Sequence, residues 1–394
     1  MSEDQKLTVV QLTLITGERL PCLVYEATWL PVKLATRWVV TYRRQRVQSL
    51  TLRDNLYAVS KLYRWAEQVA KVDLEALLSR GETLTARQLE SLVGYLREQT
   101  ASSVPSVISP NTLNKQLYAV EDFLVWALDH TQTRAGHTNL LHTQAQRGQL
   151  TTTLRSLRFR GHPTQRIEPL NEIEITTVRR VLAPQRNPHG QWLFPDCFTV
   201  TNALRNWLMV EMALELGLRV GELLKLRLDS LPRGGQHALL VRRHPDDPYD
   251  TRQHEPAVKT AERGLPLSAP LLTALRLYVT SRQPLGRVSG KSPYLFVTDE
   301  GQPLSRGRAH DILQVVSQHT GIHPLSWHRF RHTWAERMAT HLLEVPNGLD
   351  QLMYLGGWTN PQSPQRYVQN AVAQQAQASL RAWQEALYSE ETYS

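Results

Sequence analysis

The chain has 394 residues, too many for one compact core, so two domains are the natural expectation. Its 41% hydrophobic and 21% charged content is ordinary for a water-soluble globular protein, and no apolar run approaches the length of a membrane span. Lys and Arg number 45 against 36 acids, a net charge of +9, which points toward a polyanionic partner because cations gain affinity by displacing counterions from phosphates.

The opening MSEDQK carries no apolar signal core, and Cys22 and Cys197 form neither a disulfide framework nor a metal-ligand spacing. A cytoplasmic location with reduced thiols is expected. Residues 6–26 alternate loosely around TGER at 16–19, which fits a hairpin within an N-terminal extension over 1–30. From about 31 to 129 the pattern turns helical, within a first helical domain expected over 31–150. Apolar residues recur at three and four in LYAVSKLYRWAEQVA (56–70) and LNKQLYAVEDFLVWAL (113–128), and SPNTLNKQ at 109 places Ser and Pro at a helix start. A small bundle of four or five helices is the economical expectation. Residues 151–168 are polar and basic, and within RSLRFRGHPTQR (155–166) stand Arg155, Arg158, Arg160 and Arg166 with no acid. This stretch reads as an interdomain linker that either tracks a phosphate backbone or is an ordinary solvated loop.

A second domain is expected over 169–394. EPLNEIEITTVRRVL (168–182) and NALRNWLMVEMALELG (202–217) read as helices, the latter stopped by Gly217. Short strands at 237–244 and 264–268 flank a polar excursion, and helices follow over 308–319, 327–343, 349–355 and 364–388. The fold class is therefore mainly α with a small β-sheet.

Three stretches carry residues suited to chemistry. In LELGLRVGELLKL (214–226), Arg219 sits in the turn after Gly217 and Glu222 lies three residues on, so the carboxylate can hold the guanidinium and aim its fork outwards. That pair is either a phosphate clamp or a structural tie between two helices. In PLSWHRFRHTWAERMATHLL (324–343), Ser326 can cap, and Phe330, Trp334, Met338 and Leu342 recur every four residues as a core face. His328 and Arg331 share another face, with His332 beside them, which suits either a phosphate or plain solvent. In LGGWTNPQSPQRYV (355–368), Ser363 and Pro364 read as N-cap and first helical residue, placing Tyr367 in the first turn, where the helix dipole favours developing negative charge. Trp358 lies nine residues before it. A tyrosine ionises near pH 10 unaided, so neighbouring cations would be needed to make it a nucleophile.

In combination, G-L-R-x-G-E, then H-x-x-R-H-T, then L-G-G-W with Tyr nine after the Trp resembles the catalytic domain of tyrosine recombinases, the phage integrase family. The resemblance covers roughly 169–390, and the helical region before it is similar to that family's core-binding domain. It implies that Arg219 and Arg331 grip the scissile phosphate, with His328 beside them. Trp358 stands where the family has His or Trp, Glu222 supports the first arginine, and Tyr367 is the nucleophile. Lys259, ahead of the strand at 264–268 in AVKTAERGLPLS, matches the lysine that protonates the leaving 5′ oxygen. Phe330 replaces a usual Leu.

The implied reaction is DNA transesterification through a 3′-phosphotyrosyl intermediate and a Holliday junction. It needs no ATP, metal or other cofactor, and the sequence holds no P-loop. The implied partners are double-stranded recombination sites gripped by both domains, a homotetramer, and accessory DNA-bending or directionality proteins, in integration or excision of a mobile element at the nucleoid. Val372, Ala376, Leu380, Trp383 and Leu387 form an apolar stripe that docks on a neighbouring protomer or packs in cis. A type IB topoisomerase and a non-catalytic DNA-binding protein are the rival readings.

Overall fold

The computed structural model describes residues 6–99, 106–135, 140–161, 167–234, 238–283 and 292–390. It is mainly helical, and it divides into two compact units, Met1–Gln165 and Arg166–Ser394.

The first unit opens with the hairpin β1 (Leu7–Thr13) and β2 (Arg19–Tyr25), paired antiparallel from Leu7 opposite Tyr25 to Thr13 opposite Arg19. Leu7 and Leu23 bury one face of it on the helices that follow. These are α1 (Lys33–Trp38), α2 (Ser49–Trp65), α3 (Leu74–Ser79) and α4 (Ala86–Arg97). A two-residue ladder, β3 (Glu98–Gln99) with β4 (Ser106–Val107), leads to α5 (Pro110–Ala135) and α6 (Leu140–Ser156). Ser109 starts α5 as its composition foretold, accepting the Thr112 N–H at 3.3 Å. Trp38, Trp65 and Phe123 are fully buried, and Trp38 meets Phe123 edge-on at 5.5 Å.

The stretch read as linker from 151 begins inside α6, which runs to Ser156. Leu150 and Leu154, one turn apart, are buried in the core and hold this polar helix down. Two leucines in these last turns, among so many Thr and Gln, leave no readable period.

The second unit begins with α7 (Glu172–Leu182), where Asn171 and Glu174 form a reciprocal capping box at 2.8 and 2.9 Å. The central helix α8 (Val200–Leu216) is buried on nearly all sides and ends at Gly217, whose φ of +64° only glycine adopts without strain. Short α9 (Val220–Lys225) follows at once. Strands β5 (Ala238–Val241) and β6 (Arg263–Pro266) form an antiparallel pair. The excursion between them is pinned beneath α9 by a buried ionic cluster. Arg252 donates to Asp250 and to the carbonyls of Leu224 and Leu304, while Lys225 pairs with Asp250 at 3.4 Å. Then come α10 (Ala269–Ser281), α11 (Arg306–Thr320), α12 (Trp327–His341), α13 (Gly348–Gly356) and α14 (Gln362–Glu390). Phe330 and Trp334 of α12 and Leu342 at its C-cap are buried and Met338 partly so, as the four-residue period required.

From Val372 to Leu387, α14 is exposed all round, including Val372, Ala376, Leu380, Trp383 and Leu387. Among the described residues nothing covers that stripe. Among the described residues no helix is long and apolar enough to cross a membrane.

Candidate functional site

Arg219 occupies the N-cap position of α9, and its backbone N–H donates to Glu222 Oε2 at 2.6 Å. The expectation that Glu222 holds the Arg219 guanidinium is therefore corrected. A carboxylate three residues into a helix reaches back to the cap N–H, as in any capping box, not to the outward side chain. Its other oxygen accepts from the Thr260 hydroxyl and from Arg263 Nη1, the latter at 2.7 Å. Arg331 Nη1 lies 3.8 Å from Oε2. Burial alone would raise the Glu222 pKa, but Arg263, then Arg331 and the Thr260 hydroxyl, bring it below the usual carboxylate value.

Arg331 is almost fully buried in α12. Its Nη1 donates to the carbonyl of Gly217 at 2.5 Å and its Nη2 to that of Gly356 at 2.7 Å, so one guanidinium ties the α8 stop to the end of α13. It also lies 4.5 Å over the Trp358 ring. Burial, then repulsion from Arg219, lowers its pKa to about 9. Arg219 Nη1 is buried with no hydrogen-bond acceptor among the described residues. An unmade bond of this kind costs about 1–3 kcal/mol, which marks a place where an anion would be welcome.

Gly357, at φ +63°, turns the chain out of α13 and sets Trp358, whose ring centroid is 5.9 Å from that of Tyr367 and 6.0 Å from that of Trp334. The same turn is fastened to the excursion, because Ala261 N–H donates to the Gly357 carbonyl at 3.1 Å and Arg263 Nε to that of Leu355 at 2.7 Å. Lys259 is exposed, one residue from the Thr260 that holds Glu222. The structure gives it no hydrogen bond or ion pair within the described chain, so it borders the cluster without joining it.

Tyr367 is 3% exposed. It is the sixth residue of α14, in the second turn and not the first. The side chain of Asn360 accepts the Gln362 N–H at 2.9 Å and starts the helix before Ser363, and Pro364 is tolerated because first-turn N–H groups need no helical partner. Burial raises the Tyr367 pKa, opposed by the hydrogen bond and charge of Arg366 and the charge of Arg331. The cations that a nucleophilic tyrosine needs are thus present, set against the desolvation of its hydroxyl. Arg366 Nη2 donates to Tyr367 Oη at 2.7 Å, and His332 Nδ1 lies 2.6 Å from the same oxygen. The rings of His328 and His332 meet edge-on at 4.3 Å. Desolvation, then Arg331, Arg366 and Arg219, keeps the His328 pKa low.

Arg219, His328, Arg331, Trp358 and Tyr367 are therefore brought into one cluster with Glu222 beneath. Sequence reasoning missed Arg263, Thr260 and Arg366. Only Arg366, beside the tyrosine, left a signal in the form of an extra cation. Of the basic stretch, Arg158 pairs with Glu121 and stacks 3.7 Å over Tyr118, so it is committed within its own unit. Arg155 is exposed, 4.0 Å from Glu121, and Arg160 is exposed. Arg166 lies outside the described residues. Among these residues no group of three His, Cys, Asp or Glu is placed to hold a metal ion.

Comparison with known proteins bears on this cluster. Residues 191–374 match the model of the phage integrase family. The chain is 32% identical over 149 residues to the tyrosine recombinase XerD of Listeria innocua, a match spanning 37% of this chain and only 43% of that protein. A tyrosine recombinase XerC of Mycobacterium leprae is 25% identical over 305 residues, 76% of this chain and 86% of that one. Among solved structures, the XerH site-specific recombinase bound to a palindromic difH substrate superposes with a TM-score of 0.54 at 13% identity, covering 85% of this chain and 80% of that one. The Tn1549 transposon integrase in complex with transposon right end DNA gives 0.53 at 14%, covering 85% and 93%. Both likenesses carry the fold.

Proposed function

We propose that this chain, which carries a phage integrase family domain, is a tyrosine-type site-specific DNA recombinase. The observation that carries the reading is the meeting of two arginines, a histidine and an indole around one buried tyrosine, with a guanidinium nitrogen of Arg219 left unpartnered there. Arg219 and Arg331 neutralise the scissile phosphate, with His328 hydrogen-bonding its oxygens, since phosphoryl transfer is chiefly positioning and electrostatics. Tyr367 Oη attacks phosphorus, a 3′-phosphotyrosyl ester forms, and the 5′ oxygen leaves with a proton from Lys259. Trp358 packs Arg331 and offers an indole N–H, which donates but cannot shuttle a proton. Glu222 positions Arg219 through its backbone and balances Arg263 and Arg331.

Double-stranded recombination sites are the proposed partner, held in part by the exposed Arg155 and Arg160 and, on its place in the sequence, by Arg166. The bare apolar stripe of α14 supports docking on a neighbouring protomer and a tetramer on paired sites. Integration or excision of a mobile element, at the cytoplasmic nucleoid and with accessory bending proteins, is the biological setting proposed. The test uses duplexes tiled across the DNA flanking the protein's own gene, each with one nick. Wild type should give a denaturation-resistant protein–DNA band that Tyr367→Phe does not, while both bind. A non-catalytic DNA-binding protein would give no such band. Rapid relaxation of any supercoiled plasmid by a monomer would favour the topoisomerase reading.

A further inference from the structure

Two side chains outside the family's six catalytic positions touch the oxygen of Tyr367. His332 Nδ1 lies 2.6 Å from Oη and Arg366 Nη2 lies 2.7 Å from it. A guanidinium has donors only, so Arg366 donates to the phenol oxygen. Arg366 Nη2 also lies 3.5 Å from His332 Nε2, and in the tautomer that carries its hydrogen on Nε2 the phenolic hydrogen is directed at the Nδ1 lone pair. His332 is buried within α12, and Arg366 reaches in from the exposed side of α14. The other charged groups acting on the tyrosine are Arg331 and Glu336 of α12 and Arg219 at the α8–α9 turn, with His328 beside His332.

We propose, resting on the recombinase reading above, that His332 and Arg366 are two further catalytic residues, His332 accepting the phenolic proton and Arg366 stabilising the developing phenolate. As Tyr367 attacks, the Oη–H bond breaks and Nδ1–H forms. Oη bonds to phosphorus, the bond from phosphorus to the 5′ oxygen breaks, and Lys259 protonates that oxygen. On rejoining, His332 returns its proton to Oη.

Without DNA, burial holds the His332 pKa at about 3, with His328, Arg366 and Arg331 adding to the effect. The imidazole is therefore neutral with its lone pair available, but weakly basic. Substrate changes that. A phosphate bound between Arg219 and Arg331 offsets the cationic field on His332, so basicity rises when the nucleophile is needed. Arg366 acts on the tyrosine in the opposite sense to burial, which is the role of a donor aimed at developing charge.

The experiment measures single-turnover cleavage of a nicked duplex by the full chain across pH, for wild type, Arg366→Gln, Arg366→Lys and His332→Gln, with DNA affinity measured in parallel. Arg366→Gln should lower the rate near neutral pH by about 10²-fold, as loss of an oxyanion donor does, and displace the rising limb of the profile to higher pH. Arg366→Lys should recover part of the loss. His332→Gln should cost about 10²-fold or more and change the shape of the profile, with affinity unchanged for every variant. Arg366 is exposed, so its variants carry the test even where His332→Gln fails to fold. Wild-type rates and profiles in both Gln variants would overturn the proposal while leaving the recombinase reading intact. A wild-type protein that binds every duplex without forming an adduct would sink both.

Discussion

Replacing Glu222 by Gln removes one negative charge with almost no change in shape. The carboxylate is 1% exposed and accepts from Arg219 N–H, the Thr260 hydroxyl and Arg263 Nη1, with Arg331 at 3.8 Å. Its removal leaves the buried Arg263 and Arg331 without their shared counterion, and turns an amide N–H₂ toward groups that are themselves donors. Breaking a buried ion pair by neutralising one partner costs about 3–5 kcal/mol, or roughly 6–20 °C in the melting midpoint of a unit this size. The pH dependence has a definite sign. Glu222 has its folded pKa below the unfolded value, so its contribution is fully present above the unfolded pKa and is lost as pH falls through the folded one. Wild type should therefore lose this part of its stability only on acidification below about pH 4.3, and Glu222→Gln should lack it throughout the neutral range. Urea denaturation at several pH values checks this. Equal midpoints for the two proteins at neutral pH would refute the idea that this carboxylate holds the arginines in place.

Gly217→Ala forces a non-glycine residue into φ +64° and drives its Cβ into the Trp334 indole, displacing the carbonyl that Arg331 grips. A loss of about 2 kcal/mol or more is expected in the denaturation of this unit, with slower strand cleavage. Lys259→Ala should slow cleavage of ordinary DNA strongly but leave fast the cleavage of DNA carrying sulfur at the bridging 5′ position. A thiol ionises near pH 8.5 and leaves without a proton, so equal slowing on both substrates would remove Lys259 from its role. Leu380→Glu with Trp383→Glu should leave DNA affinity intact while abolishing higher complexes on paired sites, read by sedimentation. Undiminished assembly would mean that the α14 stripe has another use.

Local signals in the chain were readable because each acts over a few residues. The stop at Gly217, the Ser326 cap and the four-residue core period of α12 follow from backbone geometry and burial alone. The elements that carry Arg219, His328, Arg331, Trp358 and Tyr367 could be assigned on that basis. What could not be read is partnership across the chain. Glu222 meets Arg263 from 41 positions away, and no spacing rule foretells that pairing. The start of α14 was misplaced because Asn360, before Pro361, caps it in place of Ser363. The desolvation that opposes ionisation of Tyr367 is illegible for a related reason. A helix start is visible in sequence, whereas near-complete burial of a hydroxyl is visible only once the cluster is assembled. The last turns of α6 escaped notice because two leucines were enough to hold them.

The most direct test of the central claim is to identify the covalent bond itself. Wild-type protein, incubated with nicked duplexes and denatured, is digested with trypsin and nuclease, and the adduct is located by mass spectrometry. A nucleotide esterified through its 3′ phosphate to Tyr367, absent from Tyr367→Phe, is the predicted result. An adduct on any other residue, linkage through a 5′ phosphate, or no adduct on DNA that the protein binds would contradict the account.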